Sequence, residues 1–143
     1  MMSSELIRQM IEQNSYPVLT ESTLEAFLKL NEHSVLFFTE DPKQYPESND
    51  VAVILPELAT YFKGRFQVAV IAREVEHRLH RRFPFDSWPA LVFMQRGNYL
   101  GAITRVQDWV DYLREIERLL NAAPLHIRDV GFPIVPSLAA APQ

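Results

Sequence analysis

Short runs of bulky apolar residues alternate with helical segments, and this alternation constrains the fold of the chain more than any other feature. The runs occupy residues 35–39, 66–72 and 90–94. Strands that are apolar along their whole length are buried on both faces, which requires helices above and below the sheet. Between the first two runs, apolar residues recur at helical spacing from Val51 to Phe62. The order strand, helix, strand predicts a parallel crossover.

The flanking helices are predicted from apolar spacing and from capping residues. Amphipathic helices are expected around residues 6–11, after the capping box Ser22-x-x-Glu25, over residues 74–82 and after Asp108, which should cap the last helix. A short strand is expected near Val18-Leu19. These helices alternate with the apolar runs along the chain. Helices that connect the strands of one sheet can pack on both of its faces.

Two further features refine this pattern. A turn at Gly97 predicts a hairpin between antiparallel strands at 90–94 and 99–104. Asp50 is expected to cap the long central helix, which carries Pro56 in its interior and should be kinked there. The predicted fold class is therefore α/β, with a central mixed sheet flanked by helices in three layers, α/β/α.

Composition excludes several classes of function. The chain has 143 residues, the size of one domain, and no cysteine, which excludes disulfides, thiolate nucleophiles and dithiol redox chemistry. A formal net charge of −4 argues against a nucleic-acid partner. No apolar run approaches the ~20 residues that span a bilayer, and the N-terminus lacks the pattern of a secretory signal. The sequence predicts a cytoplasmic protein without membrane insertion.

The last part of the chain differs in composition from the rest. Residues 125–143 contain Pro133, Pro136 and Pro142, and only the stretch 130–135 is apolar enough to dock on another surface. We therefore predict a domain over residues 1–124, followed by an extended, flexible tail over 125–143.

The layout resembles thioredoxin. A buried strand leads through a loop into a helix with an internal proline, and Trp88-Pro89 stands just before a strand, where thioredoxins keep a cis proline. The stretch 48–51 occupies the place of the thioredoxin Cys-x-x-Cys motif, and it reads Ser-Asn-Asp-Val. The resemblance implies a thioredoxin-like fold without the usual redox chemistry.

Motifs that carry a closer resemblance are spread along the chain: Phe38-Thr39-Glu40-Asp41-Pro42-Lys43, Pro46-Glu47, Asp50, Glu57-Leu58, Gln67-Val68-Ala69, Pro89-Ala90-Leu91-Val92-Phe93 and Gly97-Asn98-Tyr99-x-Gly101. Together, over residues 16–120, they are similar to the HyaE/HupG family of nickel–iron hydrogenase expression proteins. The resemblance implies a non-catalytic chaperone without a cofactor. Its implied partners are the hydrogenase small-subunit precursor, bound through its twin-arginine signal peptide before export, and other hydrogenase maturation proteins.

Acidic residues cluster around the place of the missing redox motif. They are Glu40, Asp41, Glu47, Asp50 and Glu57, against a single nearby cation, Lys43. Carboxylates near a helix N-terminus stabilise any helix, by roughly 0.3–1 kcal/mol each. They can also receive arginines, because a guanidinium donates two parallel hydrogen bonds to one carboxylate. A twin-arginine peptide would need two such acceptors about 7 Å apart.

Trp88 and Pro89 complete the predicted peptide-binding site. The thioredoxin-like context predicts a cis bond between them and backbone groups exposed at the rim of a groove, where extended peptides pair as an added strand. Such a groove does not depend on the cysteines.

The remaining polar residues allow other interpretations. His77-x-x-His80 could suggest a metal site, but four arginines crowd the same helix, and a solvated helix face is favoured. Ser48 has no histidine in the segments expected around it, which disfavours nucleophilic catalysis. We therefore predict no catalytic and no metal-binding residues. An interaction scaffold that binds a protein surface through its tail and helix faces remains the alternative to a signal-peptide chaperone.

Overall fold

A five-stranded mixed sheet forms the centre of the protein. The structure is a computed structural model that describes residues 4–127 and 133–136. The strands are β1 (Val18–Leu19), β2 (His33–Phe38), β3 (Gln67–Ile71), β4 (Ala90–Gln95) and β5 (Asn98–Thr104). Their order is β1-β3-β2-β4-β5, with β1, β3 and β2 parallel and β4 antiparallel to both of its neighbours. The predicted crossover and the predicted hairpin at Gly97 are both confirmed.

Helices cover both faces of this sheet. They are α1 (Glu5–Asn14), α2 (Glu21–Leu30), α3 (Glu47–Tyr61), α4 (Glu76–His80) and α5 (Trp109–Leu120), and a 3-10 turn at Arg73–Val75 precedes α4. Because side chains alternate along a strand, Val35 and Phe37 of β2 pack with α1, α3 and α5, whereas Leu36 and Phe38 pack with α2 and α4. The predicted three-layer α/β/α class is confirmed.

Three helix boundaries differ from their predicted positions. The capping box of α2 is formed by Thr20 and Thr23 rather than by Ser22 and Glu25, because the helix begins at Glu21. Likewise, Pro46 is the N-cap of α3, so Asp50 lies inside the first turn and does not cap the helix. The predicted helix over 74–82 is divided between the 3-10 turn and the short α4.

Part of the predicted tail is also described. Residues Leu125–Ile127 (β6) and Pro133–Pro136 (β7) form a separate pair of antiparallel strands. Residues 128–132 and 137–143 lie outside the described residues, and the domain boundary at residue 124 stays a prediction. None of the helices in the described part of the chain is long and apolar enough to cross a membrane.

The contact between Gly101 in β5 and Leu119 in α5 yields a stability prediction. A Cβ atom added at Gly101 would lie 2.6 Å from Cδ2 of Leu119, which is buried. We expect Gly101→Ala to lower the free energy of unfolding by about 1–3 kcal/mol through overpacking, measured by urea denaturation. In a Leu119→Ala background the added methyl group should cost nothing further. A neutral Gly101→Ala variant would contradict this expectation.

Candidate functional site

A cleft opens at the edge of the sheet where β2 and β5 end and β4 begins. These ends meet because Phe38 pairs with Ala90, which in turn pairs with Thr104. The cleft has a volume of about 480 Å³. Its lining residues are Gln44, Tyr45, Pro46, Glu47, Asp86, Ser87, Trp88 and Arg105. It therefore joins the N-terminus of α3, the loop before β4 and the residue that follows β5.

Trp88 forms an aromatic wall of the cleft. Its ring lies 5.7 Å from that of Tyr45, 4.9 Å from that of His80 and 5.7 Å from that of Phe85, between centroids. The bond to the buried Pro89 is cis, as the thioredoxin-like context predicted. Among the described residues, neither Ser87 nor Trp88 forms a backbone–backbone hydrogen bond. The loop before β4 thus offers free peptide groups beside an apolar ring.

Glu47 is held by an intramolecular cation. Nε of Arg105 donates to Oε1 at 2.9 Å, and Nη2 donates to Oε2 at 2.7 Å. The backbone N–H of Val106 adds a third bond to Oε1, at 3.0 Å. The hydrogen bond from Arg105 is the main reason why the pKa of Glu47 lies below its ordinary value. The cleft thus contains one carboxylate that already binds a guanidinium in the bidentate geometry.

The other four predicted acids do not line the cleft. Glu40 follows β2 with φ of 51° and contacts Nε2 of His77 at 3.3 Å. Asp41 accepts the backbone N–H of Lys43 at 3.0 Å and so shapes its own turn. Asp50 and Glu57 are exposed on α3. Glu57 follows Glu47 by ten positions, which correspond to about 15 Å along the helix, so Glu57 lies well away from the cleft.

Of the eight residues that line the cleft, only Glu47 and Trp88 were predicted as site residues. Three of the other six have side chains suited to binding a peptide. Asp86 is exposed and has no cationic partner among the described residues. It stands two positions before Trp88, so proximity to the predicted cis proline could have identified it. Tyr45 could have been found as the aromatic residue of the loop after β2. Arg105 carried no local signal, because it is brought to Glu47 only by the register of β5.

A buried carboxylate lies beside the loop that follows β2. The side chain of Glu76 is 1% exposed, and its Oε2 accepts the backbone N–H of Glu40 at 2.8 Å. Its Oε1 lies 3.9 Å from Nε of Arg73 and has no hydrogen-bond partner in the described part of the chain. Burial raises the pKa of this carboxyl to about 7. Glu76 therefore helps to hold Glu40 in its left-handed conformation.

Ser48 and the two histidines of α4 have structural partners. Ser48 is fully buried, and its hydroxyl donates to the carbonyl oxygen of Thr39 at 2.6 Å, so it ties α3 to the end of β2. Nε2 of His80 lies 2.6 Å from the carbonyl oxygen of Phe85. Within residues 4–127 and 133–136, no group of three or more His, Asp or Glu side chains is arranged to hold a metal ion.

Comparison with known proteins identifies relatives over most of the chain. The family model described as hydrogenase-1 expression protein HyaE matches residues 6–112. The hydrogenase expression/formation protein HupG of Rhizobium leguminosarum bv. viciae is 40% identical over 124 residues, which cover 84% of this chain and 83% of the relative. HoxO of Azotobacter vinelandii is 43% identical over 115 residues, or 80% and 77% of the two chains.

Solved structures agree with this relationship. A crystal structure described as hydrogenase expression/formation protein HupG from Rhodopseudomonas palustris is 38% identical, covers 73% of this chain and 94% of that chain, and has a TM-score of 0.53. A thioredoxin from Halobacterium salinarum is 18% identical, covers 76% and 93% of the two chains, and has a TM-score of 0.61, which shows the fold alone. The fold is thioredoxin-like, and the chain belongs to the HyaE/HupG family of hydrogenase expression/formation proteins.

Proposed function

We propose that this protein is a non-catalytic factor of nickel–iron hydrogenase maturation that binds the twin-arginine signal peptide of the small-subunit precursor. The names of its relatives, hydrogenase expression/formation proteins, support a role in hydrogenase maturation. Because the signal peptide is bound before the precursor is exported, the protein would act in the cytoplasm. Other maturation proteins would bind the same precursor and contact this protein there.

The observation that carries this proposal is the free backbone at the loop before β4. The peptide groups of Ser87 and Trp88 have no backbone–backbone hydrogen bond among the described residues, although they lead directly into β4. An extended peptide can pair with such groups as an added strand. The rings of Trp88 and Tyr45 offer apolar area beside that pairing position, which suits the apolar part of a signal peptide.

Two carboxylates in the cleft supply acceptors for arginine. Asp86 is exposed and free of an ion pair within the described residues, so it can accept a guanidinium directly. Glu47 would accept the second by exchanging Arg105 for an arginine of the peptide. This exchange keeps the number of ion pairs constant, because one bidentate pair replaces another. Lysine cannot reproduce the bidentate geometry, so the site should distinguish arginine from lysine.

Charge alone cannot account for tight binding. Exposed ion pairs contribute about 0.2–1 kcal/mol each, whereas burial of apolar surface contributes roughly 25 cal/mol per Å². The apolar part of the signal peptide, in contact with Trp88 and Tyr45, must therefore provide most of the affinity. The carboxylates would set the selectivity and the association rate.

A titration with a labelled signal peptide tests the proposal. Asp86→Asn should weaken binding about two- to fivefold, because one exposed ion pair is lost. The matched control is Glu74→Gln, which removes an exposed carboxylate that likewise has no ion pair among the described residues and does not line the cleft, and it should leave the affinity unchanged. A peptide with both arginines replaced by lysine should bind more weakly to the wild type, and that difference should shrink in Asp86→Asn.

Two results would contradict the proposal. One is the absence of any saturable binding of the signal peptide, which would favour a scaffold that recognises a folded protein surface. The other is equal affinity for the arginine and lysine peptides, which would leave the carboxylates of the cleft without a role in recognition.

A further inference from the structure

A second apolar surface lies outside the cleft, on the helical layer of α3 and α5. Val53 and Tyr61 of α3 are 56% and 54% exposed, and Trp109 and Val110 at the start of α5 are 41% and 60% exposed. Val53 and Tyr61 are eight residues apart and so share one face of α3. The rings of Tyr61 and Trp109 meet edge to face at a centroid distance of 6.1 Å. This ring contact joins the two helices, and Val53 and Val110 are exposed apolar residues of the same two helices. We call these four residues the α3–α5 surface.

The exposed large apolar residues of the chain are concentrated on α3 and α5. Seven large apolar side chains are exposed among the described residues, and four of them form the α3–α5 surface. The others, such as Leu30 on α2, belong to different elements. Single exposed apolar residues are ordinary, whereas a grouped patch with a polar rim marks an interaction site.

Uncompensated carboxylates border the α3–α5 surface. Glu57 lies between Val53 and Tyr61 on the same helical face, and Asp50 lies one turn before Val53. Asp108 directly precedes Trp109. All three carboxylates are exposed, and none of them has an ion pair among the described residues. One exposed cation, Lys63, lies two residues after Tyr61 and lines a pocket with it. The surface therefore combines apolar contacts with three carboxylates against one lysine.

We propose that the α3–α5 surface binds an amphipathic helix of a partner protein, one that carries lysine or arginine beside its apolar face. Apolar residues spaced by whole helical turns are the pattern that a partner helix matches with its own i, i+3, i+4 and i+7 positions. Val53 and Tyr61 lie about 12 Å apart along α3, so a partner helix of about three turns covers the surface.

Charge favours this occupant over two others. In a symmetric dimer the same patch would face itself, which would bring Glu57, Asp50 and Asp108 of both copies together. An anionic membrane surface attracts basic segments and would repel these carboxylates. A basic helix instead pairs with them, and it gains association rate from that charge. This inference does not rest on signal-peptide binding, because none of the four residues lines the cleft.

Two designed helical peptides test the inference on the full chain. One carries leucine and lysine, and the other carries the same leucines with glutamate in place of lysine. We expect saturable binding of the leucine–lysine peptide and at least tenfold weaker binding of the leucine–glutamate peptide. The double variant Val53→Ser/Val110→Ser should weaken the first peptide at least fivefold. The matched control Leu30→Ser removes a side chain that is 82% exposed on α2 and should bind like the wild type.

Mapping by amide chemical shifts gives a second readout. The leucine–lysine peptide should shift amides of residues 53–61 and 109–113, and a saturating amount of twin-arginine signal peptide should not displace it. Equal binding of both peptides, an unchanged affinity in Val53→Ser/Val110→Ser, or shifts confined to the cleft would overturn the inference. So would a wild-type dimer that this double variant dissociates, or binding of the surface to vesicles of anionic lipid.

Discussion

Replacing Glu76 by glutamine is expected to leave stability unchanged near pH 4 and to raise it by about 3 kcal/mol above pH 7. The carboxyl is buried, and its pKa in the folded protein is about 7, against an ordinary value of 4.5. A pKa difference of this size between the folded and unfolded states changes the free energy of unfolding by roughly 3 kcal/mol between low and high pH. The amide oxygen of glutamine can still accept the hydrogen bond from the backbone N–H of Glu40, and the glutamine side chain never ionises.

The direction of the pH dependence follows from proton binding. Between pH 4.5 and about 7 the folded protein retains a proton on Glu76 that the unfolded chain has lost. The contribution of this group to stability is therefore fully present below pH 4.5, falls as the pH rises to about 7, and is constant above that. The variant Glu76→Gln should lack this fall.

Urea denaturation at pH values from 4 to 8 measures this effect. The control is Glu74→Gln, which removes an exposed carboxylate two residues away and should follow the wild-type curve. If the curves of Glu76→Gln and wild type run parallel from pH 4 to 8, Glu76 is not protonated in the folded protein at neutral pH.

The elements of the fold could be predicted because burial leaves a periodic pattern in the sequence. The apolar run at Val35 predicted β2, and the spacing from Val51 to Phe62 predicted α3. Boundaries were less predictable, because several hydroxyl and carboxylate residues near a helix start can cap it. Thr20 caps α2 in place of Ser22, since the chain leaves β1 only one residue before that helix begins.

The cleft could be predicted only where its residues are neighbours in sequence. Trp88 and Pro89 were found from their place before a strand, and Glu47 from the acidic cluster at the start of α3. Arg105 was not found, because it lies 58 positions from Glu47 and meets it only through the register of the sheet. Glu76 was missed for a different reason. The segment changes from 3-10 to α-helical geometry between Val75 and Glu76. Because the spacing of buried positions changes with the geometry, no single helical period in the sequence predicts that Glu76 is buried and Glu74 exposed.

The two tryptophans of the chain should separate the two proposed binding surfaces. Trp88→Leu is expected to weaken the twin-arginine signal peptide at least tenfold and to leave the leucine–lysine helix unaffected. Buried aromatic anchors at interfaces commonly contribute about 2 kcal/mol or more. Trp109→Leu should weaken binding of the leucine–lysine helix and leave the signal peptide unaffected, because Trp109 belongs to the α3–α5 surface and does not line the cleft.

Fluorescence gives the measurement and its own control, because each variant retains a single tryptophan. In Trp109→Leu, the emission of Trp88 should change with the signal peptide and stay constant with the helical peptide; in Trp88→Leu, Trp109 should respond only to the helical peptide. Thermal unfolding of both variants verifies that they remain folded, since Trp88 also packs on His80 and Phe85. If either substitution weakens both ligands equally in a folded protein, the two ligands share one surface and the assignment of separate sites is wrong.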